Sequence, residues 1–166
     1  MKGTEQVYPI LNSTVTVSKN EGGSVSLNGD LTGTLVVENG TTVNISVEAE
    51  DGYQISKVVI NGQETVVDAK IFADTIENIA EDATVSVTFV KLYTVSVTGG
   101  DGTNGTVSTT PEGQGGTITV VEDSKVTVTA TPKPGYRVVG ATINGVEQTV
   151  SGDNDSGYSV EITADG

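Results

Sequence analysis

The chain has 166 residues, with 8 lysines and arginines against 22 aspartates and glutamates, a formal charge of −14. That balance opposes binding to nucleic-acid phosphates and to anionic membrane surfaces. The absence of cysteine and histidine removes thiol catalysis, disulfides, a serine–histidine relay and an ordinary zinc site.

No run approaches the ~18 consecutive apolar residues of a bilayer-spanning helix. Tryptophan is absent and aromatics are 4%, so an aromatic sugar-stacking platform is not expected. Valine and threonine dominate, and both are β-branched residues that favour strands. The 21 glycines are spread along the chain and supply turns.

Residues 1–12 read as an N-terminal segment. Met1-Lys2-Gly3 is too short and polar for a signal peptide, so the chain reads as cytosolic or as a piece of a larger exported protein. Val7–Leu11 lies outside the repeats described below and is a candidate donor strand, although Pro9 lacks one ladder donor.

From residue 13 the chain reads as a duplication. Gly52-Tyr53 recurs as Gly135-Tyr136, 83 residues on (135 − 52). The same spacing carries Gly33 to Gly116, Val43-x-Ile45-x-Val47-x-Ala49 to Val126-x-Val128-x-Ala130-x-Pro132, and Asn61-Gly62 to Asn144-Gly145. It also sets Ile79-Ala80-Glu81-Asp82 against Ile162-Thr163-Ala164-Asp165. Repeats come before any other reading of a fold. Two modules follow, 13–91 and 92–166.

In chain order, Thr42–Ala49 alternates, with Val43, Ile45, Val47 and Ala49 on one face, the signature of a half-buried strand. Tyr53–Ile60 is a longer strand running into Asn61-Gly62, a pair suited to a type I′ hairpin turn. Ala73–Ala80 lacks alternation and reads as holding one short helical turn. Thr84–Val90 alternates with Val85, Val87 and Phe89 inward. Tyr93–Thr98 opens the second module as a separate strand. The join Val90-Lys91-Leu92-Tyr93 carries no Gly, Pro or Ser run of the kind a flexible linker has. Lys125–Thr131 repeats the alternation, and Tyr136–Ile143 repeats the long strand before Asn144-Gly145. The second module stops at Gly166, where the counterpart of Thr84–Val90 is expected to begin, which reads either as a boundary falling within a longer array or as a strand supplied by another chain. The expected class is all-β: two tandem, small, β-rich repeat modules, sandwich-like or β-grasp-like, in an elongated chain.

The second module resembles a divergent internalin-type B-repeat of bacterial surface proteins. Tyr93-Thr94-Val95-Ser96-Val97, Gly105-Thr106-Val107 and Lys125-Val126-Thr127-Val128-Thr129-Ala130-Thr131-Pro132-x-x-Gly135-Tyr136-Arg137-Val138 carry the resemblance. In the first module Thr84-Val85-Ser86-Val87-Thr88-Phe89 fits the alternating strand with which that family closes its repeat. The Trp that the family commonly has after Gly-Tyr is replaced by Lys57-Val58-Val59 and Val139-Gly140-Ala141. The resemblance implies a β-grasp-like topology and an extracellular stalk or adhesin segment on a bacterial surface.

Candidate sites are few. Asp153-Asn154-Asp155-Ser156-Gly157 has the D-x-D-x-G form. Alternate oxygen ligands in a tight loop suit calcium, with Glu161 the nearest further carboxylate; a polar hairpin tip has the same composition. Asp153, Asp155 and Gly157 are therefore the candidate metal residues. The loop from Gly99 to Gly105 is followed by a strand, not by the helix that a phosphate cradle needs. Glu48, Glu50-Asp51 and Glu81-Asp82 are the carboxylates available for acid–base chemistry, and nothing around them reads as a cleft. Outward threonines such as Thr127, Thr129 and Thr131 follow β propensity and lack the short regular period of an ice-binding surface. A lysine–asparagine cross-link would need a buried acid nearby, and no spacing among the seven lysines identifies one.

No catalytic residue and no cofactor is expected. Neighbouring repeats of a longer chain are the expected partners, with spacing of a functional tip as the task. Two other readings stay open: an adhesin module engaging a host protein or glycan, and a filament subunit joined by strand exchange.

Overall fold

The computed structural model describes residues 6–99, 102–113, 116–150 and 157–165. The chain divides into two compact units, Met1–Lys91 and Leu92–Gly166. All regular structure among the described residues is strand.

The first unit contains β1 (Asn12–Lys19), β2 (Gly23–Leu27), β3 (Thr34–Glu38), β4 (Val43–Ala49), β5 (Tyr53–Ile60), β6 (Gln63–Ala69), β7 (Ile71–Ile76) and the first part of β8 (Ala83–Ser96). One sheet has the order β3-β1-β8-β5-β6 and the other the order β2-β4-β7. In the larger sheet β8 lies between β1, which it pairs in parallel, and β5, which it pairs antiparallel. A sheet with its first and last strands parallel at the centre has a β-grasp-like order. The layer packed on it is a second sheet rather than a helix, so the unit is a sandwich.

The alternation read from sequence fixes which side chains meet between the layers. β4 buries Val43, Ile45, Val47 and Ala49 and exposes the residues between them. β8 supplies Ala83, Val85, Val87 and Phe89 from the opposite sheet. Val15, Val25, Leu27, Ile55, Val58 and Ile79 complete this core. Each buried valine, leucine, isoleucine or phenylalanine contributes ~1.5–3 kcal/mol by leaving water. Asn61 and Gly62 turn β5 into β6 with φ of 49° and 83°, the positive pair that a type I′ turn requires.

The second unit contains the end of β8 and β9 (Gly105–Thr110), β10 (Thr117–Val121), β11 (Lys125–Pro132), β12 (Ala141–Ile143), β13 (Val146–Gln148) and β14 (Tyr158–Thr163). The three-stranded sheet β14-β11-β9 repeats β7-β4-β2 in order and antiparallel sense. β10 pairs with Leu92–Ser96 of β8 as β3 pairs with β1. The match extends to the turn: Val17 N–H donates to Gly33 O at 2.8 Å, and Val97 N–H donates to Gly116 O at 2.7 Å. β12 and β13 form a separate two-stranded sheet around Asn144-Gly145.

Four local expectations are corrected. Residues 71–76 form a strand, β7, paired with β4, not a helical turn. Thr84–Val90 and Tyr93–Thr98 are not separate strands; Ala83–Ser96 is continuous. Of the long strand expected at Tyr136–Ile143, only Ala141–Ile143 forms. The counterpart of Ile79 is Ala164, not Ile162. Ile79 exchanges backbone hydrogen bonds with Gly40 and Thr41, and Ala164 makes the same pair with Asp123 and Ser124. The cause is a longer connection: Val47 faces Phe72, whereas Ala130 faces Tyr158.

Candidate functional site

Of the proposed calcium residues, Asp153 and Asp155 lie outside the described residues. Gly157 opens the approach to β14 with φ of +110°, and a Cβ there would stand 2.7 Å from Ala130 O. Backbone crowding thus accounts for this glycine without a metal. Glu161 sits opposite Thr127 in the β11–β14 ladder. Its Oε1 accepts from Lys125 Nζ at 2.7 Å. The strand rises ~3.3 Å per residue, so Glu161 stands well along β14 from Gly157. Among the described residues no cluster of three metal-ligating side chains occurs.

The carboxylates proposed for acid–base work have structural or solvent roles. Asp82 Oδ1 accepts from Thr14 N–H at 2.7 Å. Asp51 pairs with Lys70 at the surface. The hydrogen bond from Lys70 lowers the Asp51 pKa and raises that of Lys70. Glu161 likewise raises the Lys125 pKa, first by hydrogen bonding and then by charge. Both lysines hold the proton more firmly as a result, the opposite of what an activated amine nucleophile needs. Lys57 forms a third exposed pair, with Glu64 at 2.9 Å. Among the described residues Ser13 is the one buried polar side chain, so no buried acid stands ready for a lysine–asparagine cross-link. Ser13 Oγ donates to Asn39 Oδ1 at 2.7 Å, and Asn39 Nδ2 donates to Ala80 O at 3.1 Å.

The Gly-Tyr pairs behave differently in the two units. Tyr53 is partly buried against the first core. A Cβ on Gly22 would stand 2.3 Å from its ring, and one on Gly23 would stand 2.3 Å from the ring of Phe89. These two glycines leave room for two aromatic rings. Tyr136 is 49% exposed instead.

Asn20 was not singled out by the sequence. Its Nδ2 donates to Phe89 O at 2.8 Å and its Oδ1 accepts from Phe89 N–H at 2.8 Å. The side chain thus replaces a ladder partner on β8. The two residues are 69 apart, and nothing local to Asn20 announces the partner.

The loop from Gly99 to Gly105 leads into strand β9, so the helix N-terminus of a phosphate site does not follow it. Gly100 and Asp101 of that loop lie outside the described residues. No helix among the described residues is long and apolar enough to cross a membrane.

The two units repeat one three-stranded sheet, and the carboxylates described in them make structural or surface contacts. The profile of the divergent InlB B-repeat domain matches residues 13–91 and 93–154. The chain belongs to that family, whose members are repeat modules of bacterial surface proteins and are typically non-catalytic. No curated protein and no solved structure matches the chain.

Proposed function

We propose that the chain is a spacer segment of an extracellular bacterial surface protein, in which each repeat adds length between an anchor and a functional tip. The observation that supports this reading is β8. Its residues Ala83–Val90 close the sheet of the first unit, and Leu92–Ser96 open a sheet of the second. A module that ends in the strand with which the next begins needs no linker, and stability in such arrays is the sum of units and nearest-neighbour terms. The net charge of −14 keeps neighbouring stalks soluble and apart.

The test is a set of arrays carrying one, two and four copies of residues 13–166, studied by light scattering with in-line X-ray scattering. The expected result is a monomer at every length whose maximum dimension rises in proportion to copy number. Binding of the chain to a glycan or matrix-protein panel, lost on deleting a loop, would replace the spacer reading with an adhesive one.

A further inference from the structure

Five asparagines precede a glycine: Asn28, Asn39, Asn61, Asn104 and Asn144. Asparagine is among the thermolabile residues. A following glycine has no Cβ, so its backbone nitrogen can approach the side-chain amide before it. Asn28, Asn39, Asn61 and Asn104 are all exposed, and exposure does not separate them. Hydrogen bonding does.

Asn28 and Asn61 occupy φ of 52° and 49°, and the glycines after them 89° and 83°, the positive pairs of type I′ turns. Each hooks its turn onto one residue of a neighbouring strand. Asn28 N–H donates to Asn44 O at 2.9 Å, and Asn28 Oδ1 accepts from Asn44 N–H at 2.8 Å. Asn61 N–H donates to Thr84 O at 2.9 Å, and Asn61 Oδ1 accepts from Thr84 N–H at 2.9 Å. Asn39 is held at both ends of its amide, by Ser13 Oγ at 2.7 Å and Ala80 O at 3.1 Å. The nitrogen after it is held as well, since Gly40 N–H donates to Ile79 O at 2.7 Å. Asn104 lies just before β9, an edge strand of its sheet. Its backbone O accepts from Lys133 N–H at 2.9 Å, and among the described residues no hydrogen bond holds its side chain.

We propose that Asn104 is a site of spontaneous covalent modification by deamidation, and that Asn28, Asn39 and Asn61 are shielded from the same reaction by the bonds that hold them. The Gly105 nitrogen attacks Asn104 Cγ, and the new N–C bond closes a cyclic imide. The Cγ–Nδ2 bond breaks, and Nδ2 leaves as ammonia with the proton that the Gly105 nitrogen gives up. Water then opens the imide at either carbonyl, which yields aspartate or isoaspartate. Each event adds one negative charge. The isoaspartate route also lengthens the main chain by a methylene between residues 104 and 105, where the chain enters β9. In the shielded pairs Cγ meets the glycine nitrogen only after a local opening that breaks the hook. Asn144 repeats the turn of Asn61, with φ of 48°, and the proposal does not extend to it. It stands whether or not the array is a spacer.

The test incubates the full chain at mildly alkaline pH, in native buffer and in urea. Peptide mapping by mass spectrometry then follows aspartate and isoaspartate at each of the four positions with time. In native buffer Asn104 should convert at least about tenfold faster than Asn28, Asn39 or Asn61, the factor that breaking one or two hydrogen bonds supplies. In urea the four rates should converge, because the hooks are gone and every pair has the same Asn-Gly chemistry. The proposal is overturned if Asn104 converts no faster than the other three in native buffer. It is equally overturned if urea leaves the order and spacing of the rates unchanged, since local sequence and not the fold would then set them.

Discussion

The two units share the three-stranded sheet and the pairing of their first strand, and reach different degrees of burial. β4 buries every inward residue, Val43, Ile45, Val47 and Ala49. Its counterpart β11 buries Val126 alone. Both segments have the same alternating pattern and comparable propensity, so the sequence of the strand is not what separates them. The opposing layer is. β4 faces a five-strand sheet with Ala83–Val90 at its centre, whereas among the described residues of the second unit no strand pairs with both Leu92–Ser96 and Ala141–Ile143. One central strand therefore sets how much apolar surface its whole unit removes from water, and burial is the larger part of stability.

The widest gap between the units should appear on truncating equivalent core residues. Ile45→Ala removes a side chain that is 1% exposed and should cost about 2–5 kcal/mol. Val128→Ala, at the matching half-buried position, should cost about 1 kcal/mol or less. Chemical denaturation monitored by NMR, which reads each unit separately, checks both; equal losses would break the comparison. The next effect is Gly23→Ala, where the new methyl meets the Phe89 ring and Glu48 O at 2.3 and 2.5 Å. About 1–3 kcal/mol is expected from overpacking, against almost none for Gly33→Ala, which has no atom within 4 Å of the added Cβ. Thermal melting of the two variants side by side decides it. Asn20→Ala leaves the N–H and C=O of Phe89 without their 2.8 Å partners. It should cost about 1–2 kcal/mol, and hydrogen exchange should show the Phe89 amide opening first.

The smallest effect is expected at the surface pairs. Lys70→Ala should leave the melting temperature unchanged within error, because exposed pairs are screened by solvent. The sign of its pH dependence still follows. The Asp51 pKa is lowered, so what the pair contributes is present above the ordinary carboxylate value and fades as pH falls below it. The Lys70 pKa is raised, so its share persists below the ordinary lysine value and fades as pH rises past it. NMR titration of the Asp51 carboxyl carbon in the parent and in the Lys70→Ala chain reads the difference directly.

Much of the plan was legible. Period-two alternation located β4, β11 and the two halves of β8 though not its continuity, and Asn-Gly located two hairpins, because each signal is local and has one physical cause. Three features were not. β7 escaped because an edge strand turns only Phe72 and Ile76 toward the core, too few to show a period. Tyr136–Val139 has strand-forming residues and forms none, since a strand needs a neighbour and β5 gets its own from β8. Asn20 escaped because its partner is 69 residues away. The candidate calcium loop, read from local composition alone, falls partly on residues 151–156, outside the described region.

The continuity of β8 has a further consequence. Alternate residues 83, 85, 87 and 89 face the first core, and the same odd positions 93 and 95 face the second. Within each unit the alternation works like a reading frame: one residue inserted inside 83–90 or inside 92–96 turns the inward side chains beyond it outward, whereas two inserted there keep the face.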